Sequence, residues 1–169
     1  MLPYFLLALL CLSELSDAFD GYLARKYNQV TDFGKIVDPM ADSICRISVF
    51  LTYTLPPVRL PVLLIFVFLY RDSVVSTLRT LCALKGYALA AKTSGKIKAV
   101  IQGVASISIV LLMIPYYHGL ITQETLTLSS TILIAIAAAY TLYSGIEYIY
   151  THRHYVMLLL TQRSAQEHG

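Results

Sequence analysis

Apolar residues fall in five long runs, at positions 1 to about 23, 36–55, 60 to about 84, 99–117 and 126–150. Each is close to the roughly 20 residues that a helix needs to cross a bilayer's hydrocarbon core. Open sheet would leave backbone N–H and C=O groups unsatisfied in lipid, so the pattern predicts five helices and an all-α, polytopic transmembrane bundle. The breaks carry turn chemistry: Pro56, Pro57 and Pro61 separate the second run from the third, and Pro115 with Gly119 closes the fourth. Residues 1–12 are apolar enough for a signal-peptide core, yet a basic segment ahead of them and a small-residue cleavage site are both missing, so they read as retained helix.

Composition sharpens this reading. Of 169 residues, 57% are hydrophobic and 14% charged, against about 45–50% and 25% in soluble domains; a soluble globule and a disordered chain are both excluded. The length leaves no space for a separate soluble unit, so a single transmembrane domain over residues 1–169 is expected. A net charge of +3 without any basic block gives no footing for a nucleic-acid partner. Alternating spans put Arg25, Lys26, Lys35, Lys85, Lys92, Lys96, Lys98, Arg153 and Arg163 on one side and Arg59 alone on the other, nine against one. The richer side is therefore predicted to be cytoplasmic. Tyr53, Tyr116 and Tyr117 fit an outer interfacial belt, and Tyr148, Tyr150 and Tyr155 an inner one. Cys11, Cys45 and Cys82 lie in apolar runs without ligand spacing and read as small buried hydrophobes.

Five of the ten acidic residues lie between positions 17 and 42. Asp17 and Asp20 are spaced i,i+3 at the end of the first predicted helix, and Asp38 and Asp42 i,i+4 at the start of the second, so each pair projects from one face. A short cytoplasmic connection makes the two helices neighbours. Four converging carboxylates repel unless cations lie between them, and hard oxygen donors suit Mg²⁺ or a similar ion, with two sharing the cluster. Gly21 and Gly34 leave room for a bulky ligand, and Arg25 offers fixed charge to phosphate oxygens. Together they describe a diphosphate site. Asp32 falls outside this pattern and reads as a solvated loop residue. Arg46, one turn beyond Asp42, suits either an intrahelical pair with Asp42 or an acceptor phosphate.

Written out, the run is Asp17-x2-Asp20-Gly21-x2-Ala24-Arg25-x8-Gly34-x3-Asp38-x3-Asp42. It resembles the signature of the CDP-alcohol phosphotransferases, integral membrane enzymes of phospholipid synthesis, at all eight positions. The resemblance implies that Asp17, Asp20, Asp38 and Asp42 hold two Mg²⁺ or Mn²⁺ ions and that Asp42 is also the catalytic base. It further implies that Asp17, Gly21, Arg25 and Gly34 bind the CDP-lipid, and that the protein is a homodimer of a bacterial cytoplasmic membrane with its site facing the cytoplasm. The family often has lysine directly after the last aspartate, where this chain has Ser43. Family members commonly have six spans, so the resemblance also implies that the first span is missing here and that the chain is truncated at its N-terminus.

The expected reaction is metal-dependent transfer of a phosphatidyl group from CDP-diacylglycerol to an alcohol, releasing CMP. Arg71 and Arg79 lie about 80° apart around one helix, and intramembrane basic residues normally face a wet cavity. With Lys96 and Lys98 they are candidate ligands of an acceptor phosphate. The spelling Arg71-Asp72-x6-Arg79 with Gly95-Lys96-x-Lys98-x3-Gln102 is similar to the phosphatidylglycerophosphate synthase branch, which implies glycerol 3-phosphate as acceptor. Inositol phosphate or phosphatidylglycerol are alternatives within the family. A divalent-cation transporter and an inactive truncated membrane protein are alternatives outside it. Lys85 and Lys92 suit snorkelling as well as binding; Glu147 reads as a helix flank, His152, His154 and His168 as solvated tail, and the alanines from Ala135 to Ala139 with Gly145 as close helix packing.

Overall fold

The computed structural model describes residues 2–26, 32–84, 87, 92–155 and 157, with side chains described at 3–13, 16, 19 and, within those stretches, from 40 onward. Five α-helices follow in order: α1 (Leu2–Lys26), α2 (Asp32–Thr52), α3 (Val62–Leu84), α4 (Thr93–Tyr117) and α5 (Gln123–Thr151). Among the described residues every regular element is helical. Helix α5 packs on both α3 and α4, α2 packs on α3, and α1 on α4.

Four of the five helices are longer than the apolar runs that announce them, α3 alone being slightly shorter. Backbone hydrogen bonding continues through polar residues, so α2 starts at Asp32 and α4 at Thr93. Asp32 is thus the first residue of α2 and not a loop residue.

Helices α4 and α5 are long and apolar enough to cross a membrane. Helix α3 has the length but carries Arg71, Asp72 and Arg79. Large apolar side chains point outward along the bundle, among them Leu63, Leu69, Leu111, Leu128, Ile136 and Ile146. That outer surface suits a lipid solvent. Cys11 and Cys45 share it and are exposed, contrary to the sequence expectation, whereas Cys82 is buried.

The core forms where α2 turns into α3. Phe50 and Phe68 are fully buried with ring centroids 5.0 Å apart. The Leu60 N–H returns to the Tyr53 carbonyl at 2.9 Å, closing a proline-rich turn in which Arg59 takes a left-handed backbone (φ 58°). Tyr53 corrects the belt assignment: it is buried, and its hydroxyl lies 2.9 Å from Ser106 Oγ on α4. A buried phenol finds such a partner because leaving it unsatisfied in the core is costly.

Between α4 and α5 the chain turns at Gly119 (φ 70°), whose N–H donates to the Tyr116 carbonyl at 3.0 Å. Glycine takes this conformation without strain. Thr122 then caps α5, accepting from the Thr125 N–H at 3.3 Å. At the same end Tyr4 of α1 reaches His118, Oη to Nε2 3.0 Å, which fixes α1 antiparallel to α4.

Candidate functional site

The signature residues occupy two helices with the required spacing. Asp17, Asp20, Gly21 and Arg25 lie on α1, which runs unbroken to Lys26, and Gly34, Asp38 and Asp42 on α2. The surroundings of Asp17, Asp20, Gly21, Arg25, Gly34 and Asp38 lie outside the described side chains. Asp42 is described and exposed. The next residue, Ser43, turns about 100° around the helix and faces α3, where its hydroxyl donates to Asp72 Oδ2 at 2.9 Å.

Asp72 is the hub of a buried ionic cluster. Lys98 of α4 donates to both carboxylate oxygens, at 2.6 and 2.8 Å, and Arg71 Nη1 donates to Oδ1 at 3.0 Å. Asp72 and Lys98 are 8% and 6% exposed. At that depth an unpaired charge would be expensive, and charge-assisted hydrogen bonds from three helices offset the cost. Arg71 also reaches α5, donating from Nη2 to Ser144 Oγ at 2.8 Å.

Two turns further toward the α3 C-terminus, Arg79 Nε donates to the Tyr148 hydroxyl at 3.3 Å. Tyr148 is therefore a buried α5 residue and not part of an inner belt. Its ring stacks with His152 at 4.4 Å between centroids. His152 itself caps α5 with Nδ1 2.9 Å from the Tyr148 carbonyl, which removes it from the solvated tail. Lys92 and Glu147 pair at 2.7 Å, and Lys92 also donates to Thr151 Oγ1 at 2.6 Å, latching the start of α4 to the end of α5.

Two cavities flank α3. One of about 510 Å³ opens between α2 and α3, with a polar wall that includes Ser43, Arg71, Asp72, Ser76 and Arg79, and an apolar wall of Met40, Ile44 and Ile47. The other, about 650 Å³, lies between α3 and α5; its lining is apolar apart from Arg71 and the Tyr70 hydroxyl. Of the four basic residues singled out as acceptor ligands, Arg71 and Arg79 thus share one cavity wall. Lys98 stands behind it, gripping Asp72, and Lys96 is exposed near the start of α4. Sequence reasoning assigned no role to Asp72 or Ser144 and gave Tyr148 a place in an interfacial belt. A carboxylate beside an arginine in mid-span was a visible signal for the first, because an intramembrane acid needs a cation.

The arrangement defines a class, an all-α membrane protein with two aspartate-bearing helices and an arginine-lined cavity between α2 and α3. The model of the CDP-alcohol phosphatidyltransferase family matches residues 3–143, and the chain belongs to that family. Its relatives include enzymes named CDP-diacylglycerol–glycerol-3-phosphate 3-phosphatidyltransferase. That of Rickettsia bellii is 41% identical over 97 residues, covering 56% of this chain and 51% of the relative. That of Bacillus subtilis is 35% identical over 108 residues, covering 64% and 55%, and that of Treponema pallidum 37% over 83 residues, covering 49% and 38%. The chain spans about half the length of the first two.

Proposed function

We propose that the protein transfers the phosphatidyl group of CDP-diacylglycerol to glycerol 3-phosphate, with release of CMP, in phospholipid synthesis. The free primary hydroxyl of the acceptor attacks the phosphorus bonded to diacylglycerol. A new P–O bond forms there, the bond to the CMP phosphate breaks, and the hydroxyl proton passes to Asp42. The observation that carries this reading is the cavity between α2 and α3, which sets Arg71 and Arg79 beside the helix bearing Asp38 and Asp42. Relatives with the matching printed name support the choice of acceptor.

The donor set of Asp17, Asp20, Asp38 and Asp42 fits hard divalent ions, since four carboxylates at helical spacing supply oxygen ligands and more negative charge than they tolerate alone. Two Mg²⁺ or Mn²⁺ ions held there would neutralise the diphosphate and polarise it toward attack. Asp17, Gly21, Arg25 and Gly34 bind the CDP-lipid, with glycines that admit the diphosphate and an arginine that pairs with it. Arg71 and Arg79 take the acceptor phosphate, with Lys98 behind them and Lys96 at the entrance. The positive-inside pattern turns this end of the bundle toward the cytoplasm. The bacterial relatives support a bacterial cytoplasmic membrane, and the assembly is a homodimer.

The test is an assay with radiolabelled CDP-diacylglycerol and a panel of alcohols on the protein in liposomes. Glycerol 3-phosphate should give the fastest label transfer. Preference for inositol phosphate, phosphatidylglycerol or an unphosphorylated alcohol would overturn the acceptor, and cation flux without any transfer would overturn the enzyme.

A further inference from the structure

Helix α5 contributes no residue to the aspartate signature, yet it is shaped around one side chain of α3. A Cβ built on Gly145 would stand 2.9 Å from Arg71 Cγ, with Nε at 3.8 Å and Cβ at 3.9 Å. That is closer than carbon atoms pack, and the intruded atoms are the stem of the arginine, not its mobile end. Gly145 itself is buried. The preceding residue, Ser144, is fully buried and accepts from Arg71 Nη2 at 2.8 Å, while Nη1 is held by Asp72 at 3.0 Å. Arg71 borders both cavities beside α3. Its stem thus runs over a missing side chain, and its two terminal nitrogens are tied to opposite sides, one to α3 and one to α5.

We infer that Gly145 and Ser144 are positioning residues for the transfer reaction: they form a cradle on α5 that aims the Arg71 guanidinium at the acceptor phosphate. The inference rests on the proposed role of Arg71. The cradle selects arginine specifically, because a lysine ammonium is a single point and cannot bridge Asp72 and Ser144 across a planar fork. It also gives the glycine a reason that helix stability does not supply. Glycine in a helix interior is intrinsically less favourable than alanine, so its place here is accounted for by the room that the Arg71 stem takes.

The experiment measures KM for glycerol 3-phosphate and for CDP-diacylglycerol in the full-length protein and in Gly145→Ala, Ser144→Ala, Arg71→Ala and Gly145→Ala/Arg71→Ala. Gly145→Ala displaces the guanidinium and Ser144→Ala frees one of its ends. Each should raise the acceptor KM on the order of tenfold, the scale of one lost hydrogen bond to a charged group, with the CDP-diacylglycerol KM unchanged. In the Arg71→Ala background Gly145→Ala should add nothing, since the atoms it intrudes on are gone. Ser144→Ala introduces no bulk and keeps the test decisive should Gly145→Ala fold poorly. A large effect of Arg71→Ala beside wild-type acceptor KM in both α5 variants would overturn the cradle and leave the acceptor reading standing. A Gly145→Ala effect that persists undiminished without Arg71 would overturn it as well. Wild-type acceptor KM in Arg71→Ala would remove the acceptor reading and the cradle together.

Discussion

Lys98 of α4 holds both carboxylate oxygens of Asp72 on α3, at 2.6 and 2.8 Å, with each residue more than nine-tenths buried. A pair of this kind contributes little over an apolar pair of the same volume, but removing one partner leaves the other charged and stranded. Asp72→Asn should therefore lower stability by about 3–5 kcal/mol, read as a fall in the detergent-solubilised unfolding midpoint. Replacing both, as Asp72→Leu with Lys98→Met, should restore a large part of the loss. A single variant as stable as wild type would contradict the pairing.

Metal removal tests the donor set. Under the proposed donor set, activity should vanish on chelation with EDTA and return with Mg²⁺ or Mn²⁺, because four converging carboxylates repel unless divalent charge lies between them. Undiminished CMP release in chelator would contradict the assignment of Asp17, Asp20, Asp38 and Asp42 as ligands.

The acceptor wall makes a kinetic prediction. Arg79→Ala should raise the KM for glycerol 3-phosphate on the order of tenfold while leaving kcat close to wild type, since a contact made equally in ground and transition states affects binding alone. Steady-state kinetics with the acceptor varied at saturating CDP-diacylglycerol reads this directly. Arg79→Lys should recover only part, for want of the planar fork. A wild-type KM would take Arg79 out of the acceptor pocket and leave it as a partner of Tyr148 alone.

Much of the architecture was legible because it is local. Apolar runs located all five helices, and the aspartate spacing could be read because each pair lies on a single helix. Helix starts were less legible at Asp32 and Thr93, since hydropathy reports the solvent a residue meets and not its backbone hydrogen bonds. What the sequence could not show is contact between helices. Ser43, Asp72 and Lys98 come from α2, α3 and α4, and no periodicity in one segment reveals the register of another. The same limit explains Tyr53 and Tyr148. Tyrosine near a span end suits an interfacial belt, yet Ser106 and Arg79 on neighbouring helices give these two hydroxyls partners inside the bundle.

The most direct measurement of the central claim is CMP release on addition of glycerol 3-phosphate to liposomes containing CDP-diacylglycerol and either the wild-type protein or Asp42→Asn. The substitution keeps shape and hydrogen bonding but removes the base. Wild-type protein should release CMP in step with formation of the phosphatidyl product. Asp42→Asn should be slower by at least about 10²-fold, while binding CDP-diacylglycerol better than Asp17→Asn or Asp38→Asn. Equal rates in the two proteins, or CMP release that does not depend on the acceptor, would contradict it.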